Sequence, residues 1–313
     1  MYYFGIDGGG TRSRLALTDG RGDVLARVEA GSTNIYSVTK GEVFDNLSRL
    51  LDSALKSSGL RKADLVAGCV GSAGLGRPGE RGIFREFFDA LFGPAFPVKL
   101  CTDGEILLCG GLGSPEGYCL IAGTGSVALG RSAEGRLVRA GGHGYMLGDE
   151  GAAAWIAKTA IARVLRSAEG RDLETAMLED ILAFCRLGES SELIPYVHHK
   201  ADKATIAALA PAVSAAARKG DPLALDILFT GAAELLLLVK SVLNRSPWIR
   251  EKRLVLAGGI LEHDEIVRNR LRGLLAAELP DLSLCESRGS ALEGACFLAR
   301  EEAGAQKPAP IQN

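Results

Sequence analysis

Two short glycine-rich turns, Asp7-Gly8-Gly9-Gly10-Thr11 and Gly123-Thr124-Gly125-Ser126, each lie between runs of strand-forming residues, one in each half of the chain. Without a Cβ the backbone can come close to an anion, and the N–H groups of the turn then point at it. The flanks exclude the commonest phosphate loops. A dinucleotide fingerprint or a Walker loop runs strand, loop, helix. Here the chain emerges as another strand, Leu15-Ala16-Leu17-Thr18 after the first turn and Val127-Ala128-Leu129 after the second. The turns are hairpin tips. Further turns at 19–23 and 132–135 lead each hairpin into a third strand, at 24–28 and 136–139. A plain hairpin is the competing reading of either turn alone. The pair points instead to a nucleotide gripped from both sides.

Beyond the first meander the chain alternates. Helical spacing covers 41–59, followed by a strand at 64–70, a helix at 80–92, a strand at 98–102 and a helix at 104–112. The second half repeats this order around a long helical insert, 149–244, with breaks at Gly188 and Gly220-Asp221-Pro222. Strand 253–257, helix 264–279, strand 282–285 and helix 290–300 follow. Both halves therefore read βββαβαβα. The expectation is an α/β protein with an N-terminal lobe at 1–115, a C-terminal lobe at 116–300 and a flexible tail at 301–313. Two similar lobes imply a cleft between them, a favoured place for ligands.

Composition narrows the function class. The length of 313 residues suits about two domains, and the net charge of −2 gives no bulk attraction to nucleic acid or an anionic membrane. The N-terminus enters a strand directly, so no secretion signal is expected. The apolar stretch 227–243 contains Glu234 and Lys240 and reads as a core helix rather than a membrane span. Seven cysteines are scattered without a CxxC pair, which suits buried free thiols in a cytoplasmic protein.

These residues together resemble the superfamily of sugar kinases, heat-shock protein 70 and actin. Within it the chain is similar to N-acetylglucosamine kinases and the BadF/BadG/BcrA/BcrD ATPase family, over about residues 2–300. The matching stretches are Gly5-Ile6-Asp7-Gly8-Gly9-Gly10-Thr11-Arg12-Ser13, Ser32-Thr33-Asn34, Gly71-Ser72-Ala73-Gly74, Thr102-Asp103, Gly123-Thr124-Gly125-Ser126, Gly141-Gly142-His143-Gly144, Leu147-Gly148-Asp149-Glu150-Gly151, Ala257-Gly258-Gly259 and Ser290-Ala291-Leu292-Glu293-Gly294-Ala295. Each is short, but their order and spacing are specific to the superfamily. The resemblance implies two ribonuclease H-like lobes, ATP and Mg²⁺ as cofactors, and an amino sugar as phosphate acceptor. It also implies a homodimer formed through the helical insert.

Phosphoryl transfer needs positioning, charge neutralisation and an oriented nucleophile. Asp7 closes the first strand, where a carboxylate can hold Mg²⁺ through water; a turn-forming Asp is the alternative. Thr11 with the N–H groups of Gly9 and Gly10, and Thr124, Gly125 and Ser126 from the other half, are expected to hold phosphate oxygens. Asp103 sits at the C-terminal end of a strand, where α/β sheets bind ligands. By resemblance it is the base for the sugar hydroxyl; it could instead, or also, cap the helix that follows. Asn34 supplies a donor and an acceptor suited to sugar hydroxyls, or is a turn residue. Gly142, His143 and Asp149 match sugar-contacting positions, Asp149 also being placed to cap a helix. His143 departs from the Trp of N-acetylglucosamine kinases. Glucosamine, N-acetylglucosamine and N-acetylmuramic acid therefore all stay open as substrates. By resemblance Gly258 and Gly259 lie beside the adenosine, a tight strand-to-helix turn being the alternative, and the small-residue helix 205–217 either flanks the adenine or packs in the core. The competing function is an activator ATPase that drives electron transfer through an iron–sulfur cluster held between subunits, and a non-catalytic sugar sensor is a third reading.

Overall fold

The computed structural model describes residues 1–305. They form two compact units, Met1–Gly117 together with the segment from Glu286, and Tyr118–Cys285.

The first unit opens with β1 (Tyr2–Gly8), β2 (Arg12–Asp19) and β3 (Val24–Gly31). Then come α1 (Lys40–Ser58), β4 (Leu65–Ser72), α2 (Pro78–Phe92), β5 (Val98–Cys101) and α3 (Asp103–Leu112). The sheet order is β3-β2-β1-β4-β5, antiparallel within the meander and parallel across β1, β4 and β5. Local chemistry sets the helix ends. Thr39 and Glu42 form a reciprocal capping box at the start of α1, and Gly59 closes it in the left-handed region. Apolar residues of sheet and helices then meet in one core, with Phe4, Leu47, Leu50, Phe84 and Phe88 fully buried. The Phe4 ring fills the space beside Gly68 of β4, where a Cβ would be 2.0 Å from its Cζ.

The second unit carries β6 (Gly117–Ala122), β7 (Ser126–Arg131) and β8 (Leu137–Gly141). The insert follows as α4 (Ala153–Ala168), α5 (Met177–Cys185), α6 (Leu193–His199), α7 (Lys203–Ala207), α8 (Ala210–Arg218) and α9 (Pro222–Asn244). β9 (Arg253–Ala257), α10 (Gly259–His263), α11 (Glu265–Glu278) and β10 (Ser283–Cys285) complete it, in the order β10-β9-β6-β7-β8. Asp221 caps α9 with Pro222 at its first position, the stop-and-start signal read from sequence. α9 is 23 residues long and buries Leu223, Ile227, Leu228, Leu235 and Val239, so it is a core helix.

The α/β class and the duplicated βββαβαβα order are as the sequence predicts. The expected second lobe, 116–300, differs in its last element. α12 (Ala291–Ala305) packs in the first unit. Glycines make this seat. A Cβ at Gly110 of α3 would lie 2.0 Å from the Ser290 carbonyl, and one at Gly294 would lie 1.8 Å from that of Ile106. At Gly5 of β1 it would strike Cys296 at 2.5 Å. The expected tail from 301 is also shorter, because α12 runs on to Ala305; the rest of that tail lies outside the described residues.

Candidate active site

In the first unit, the tip of the β1–β2 hairpin is braced by the segment that follows β3. Ser32 Oγ donates to the Gly9 carbonyl at 2.9 Å, Ser13 and Thr33 share a hydrogen bond of 2.8 Å, and Asn46 Nδ2 donates to the Ser32 carbonyl at 2.8 Å. The Gly9 N–H donates to the Arg12 carbonyl at 3.1 Å, closing the turn. That corrects the expectation for Gly9, whose donor is spent inside the loop, while Gly10 and Thr11 are exposed at the tip.

Asn34 lies beside this tip. Its Oδ1 accepts from the Tyr36 N–H at 2.9 Å, an Asx turn, while Nδ2 is 4.0 Å from where a Gly10 Cβ would be. Turn residue and tip residue are thus the same Asn, and the amide donor is the half that faces Gly10. Asp7 pairs with Arg14 directly across the hairpin, Nη2 to Oδ2 2.6 Å.

Asp103 is the first residue of α3, exposed, just beyond the end of β5. The cap is Thr102, whose side chain accepts from the Glu105 N–H and completes a capping box. The helix-cap alternative for Asp103 is thereby corrected. Its Oδ1 accepts from the Gly104 N–H at 2.9 Å, and a helix N-terminus favours negative charge at this place.

In the second unit, the Gly123 and Thr124 carbonyls accept from the Ala153 and Ala154 N–H groups at the start of α4. The tip is therefore docked on the helix through its carbonyls. Ser126 is buried and its hydroxyl donates to the Glu150 carbonyl at 2.8 Å, so its side chain serves the loop. Arg139 holds the other end, donating to the Gly141 and Gly142 carbonyls. His143 is exposed on that loop.

Asp149 is buried and adopts φ +62°, a left-handed conformation that costs a non-glycine residue roughly 1–2 kcal/mol. Its carboxylate lies on the backbone of Gly125: a Cβ there would be 2.6 Å from Oδ2. Lys203, the first residue of α7, reaches the same oxygen with Nζ at 2.9 Å. Helix capping, the alternative weighed for Asp149, goes instead to Ala152, which makes no side-chain bond. Sequence reasoning missed Lys203, which lies 54 residues away in the insert.

Next to this turn is a cavity of about 590 Å³, lined among others by Thr124, Ala207, Pro211, Ser214, Gly259 and Asp264. That is the size of a small-ligand pocket. The expected single helix 205–217 is instead α7 and α8, whose Ala207, Pro211 and Ser214 line the cavity while Ile206, Val213 and Ala217 pack in the core. Gly258 is required twice over: its φ is +96°, and a Cβ would lie 2.5 Å from the Ala122 carbonyl. At the cavity wall Ser214 donates to Asp264, which caps α11.

The cysteines offer little to a cluster bridging two subunits. Cys69, Cys101, Cys109 and Cys119 are buried, and burial pushes the Cys296 thiol up to about 12.

Comparison with known proteins shows what the whole chain is similar to. The BadF/BadG/BcrA/BcrD ATPase family matches residues 4–296. An N-acetylmuramic acid/N-acetylglucosamine kinase of Clostridium acetobutylicum is 34% identical, across 96% of this chain and 99% of the relative. An N-acetyl-D-glucosamine kinase of Dictyostelium discoideum is 25% identical across 95% and 97%. Among solved structures, a protein of Chromobacterium violaceum provisionally described as an N-acetylglucosamine kinase superposes with a TM-score of 0.71 at 26% identity, covering 95% of this chain and 98% of its own.

Proposed function

Because the chain belongs to the BadF/BadG/BcrA/BcrD ATPase family, we propose that it is an ATP-dependent kinase that phosphorylates a hydroxyl of an amino sugar of the N-acetylglucosamine, glucosamine or N-acetylmuramic acid type. The observation that carries this reading is the cavity of about 590 Å³ lined by Gly123 and Thr124 of the second glycine turn, a space that suits a nucleoside. The 34% identical relative, named for both N-acetylmuramic acid and N-acetylglucosamine, supports the acceptor class.

The second unit takes the nucleotide, with the base in the cavity against Gly258 and Gly259 and the phosphates at Thr124, Gly125 and the backbone of Ser126. Gly10 and Thr11 contact phosphate, and Asp103 accepts the proton of the attacking hydroxyl as its oxygen bonds to the γ-phosphorus and ADP leaves. Asn34 donates to the sugar, and Gly142 and His143 contact it; the buried Asp149, expected there too, is turned on Gly125 and Lys203.

Asp7 would hold Mg²⁺ through water, which fits a single carboxylate beside phosphates because this ion keeps several waters and takes few protein ligands. Among the described residues no cluster of three or more His, Cys, Asp or Glu side chains forms a cage of the protein's own. When bound, the ion neutralises charge on the transferring phosphoryl group. A cytoplasmic homodimer is the assembly that the family likeness supports.

A screen of amino sugars and plain hexoses with coupled ADP detection tests this, the product position being read by NMR. Turnover with an amino sugar well above that with glucose is expected. Phosphorylation of none of them would reject the reading.

A further inference from the structure

Lys203 is placed by three separate features. Asp202 caps α7, accepting from the Thr205 N–H at 2.7 Å and from its hydroxyl at 2.6 Å, which fixes where the helix begins. These bonds hold the Asp202 carboxyl below its usual range. Lys203 is therefore held at the first helical position. Its ammonium is drawn to Asp149, at 2.9 Å, and that carboxylate lies against Gly125. The following residues of the same helix, Ala204 and Ala207, line the cavity together with Gly123 and Thr124. Lys203 thus stands where the cavity meets the glycine turn.

Charge makes this position informative. A turn meant for a triphosphate has a buried carboxylate behind it, with the Asp149 side chain 3% exposed. Left alone, that carboxylate would repel the ligand. The Lys203 side chain beside it is 37% exposed, so it is open to solvent where Asp149 is not. An ammonium has three donors, and the bond to Asp149 uses one. The strained backbone of Asp149 holds the carboxylate, and the carboxylate holds the lysine.

Resting on the kinase reading, we propose that Lys203 binds the β- or γ-phosphate of the nucleotide, with Asp149 as the residue that positions it. A bond from a charged donor to phosphate is shorter and stronger than a neutral one. Its loss, at roughly 1.5–3 kcal/mol, corresponds to about a tenfold to hundredfold fall in affinity.

Isothermal titration of adenosine, ADP and ATP against wild type, Lys203→Met and Lys203→Arg tests this. Lys203→Met is expected to weaken ADP and ATP about tenfold to hundredfold and leave adenosine within twofold, with Lys203→Arg recovering most of the loss. Equal weakening of adenosine would mean a structural role and overturn the proposal. So would unchanged ADP and ATP affinity with a raised sugar KM, which would make Lys203 a support for a sugar-binding Asp149. Thermal melts confirm that the variants fold. Wild-type protein that binds neither ADP nor ATP rejects the kinase reading itself, and this proposal with it.

Discussion

Arg14 holds Asp7 across the first hairpin: the two are register partners on β2 and β1, and the guanidinium Nη2 stands 2.6 Å from the carboxylate Oδ2. A cation of the chain's own thus sits on the carboxylate assigned to Mg²⁺. The Asp7 side chain is 14% exposed and that of Arg14 43%, so the pair is half open to water and worth at most about 1 kcal/mol to the fold.

Arg14→Gln should therefore leave stability within about 1 kcal/mol of wild type. Removing the competing charge should lower the Mg²⁺ concentration that gives half-maximal turnover. A magnesium titration of the rate checks this, and a higher requirement would mean that Arg14 serves the nucleotide instead.

Asp103→Asn should keep the fold, because Thr102 and Glu105 cap α3 without it. Loss of a general base typically lowers turnover by about 10²–10⁴. Steady-state kinetics with a nucleotide titration should show kcat falling by that much and ATP affinity unchanged. Near-normal kcat would remove Asp103 from the mechanism.

Gly125→Ala should disturb the second turn, since the new methyl would stand 2.6 Å from Asp149 Oδ2. Overpacking of this kind costs about 1–3 kcal/mol. Gly20→Ala is the matched control, a hairpin glycine with nothing within 4 Å of the new atom. Denaturant melts should separate the two, and equal stability would mean that Asp149 yields easily.

The acid limb of stability should depend on Asp172. Arg163 on α4 hydrogen-bonds it at 2.6 Å, and that bond, reinforced by the Leu173 N–H, holds the carboxyl well below its usual range. A carboxyl lowered in the folded state adds stability above its unfolded value, about 3.9, and loses it as pH falls below that. Tm should thus drop from pH 5 to pH 2, and Asp172→Asn should flatten the slope. An unchanged slope would assign the acid limb to other groups.

Much of the fold was legible because its signals are local. Strand, glycine turn and strand recur in both halves, and the Gly220-Asp221-Pro222 break is a stop and a cap written in adjacent residues. The seat of α12 was not legible. Its apolar spacing marks a helix, but nothing in that spacing says which sheet it covers; the choice lies in Gly5, Gly110 and Gly294, which matter only once the backbones meet. At the candidate site, residue types marked the tips and Asp103 for attention. They could not show which donors the loop would consume, and Gly9 and Ser126 turn theirs inward. The partners of Asp7 and Asp149 were hidden for different reasons. Arg14 is visible only once hairpin register is known, and Lys203 comes from the insert, where no local pattern ties it to the turn.

Incubation with γ-labelled ATP and each amino sugar in turn addresses the main claim most directly. The label should appear in a sugar phosphate in an amount equal to the ADP formed, and ADP formation should nearly stop when sugar is left out. Label released as inorganic phosphate at the same rate with or without any sugar would contradict it.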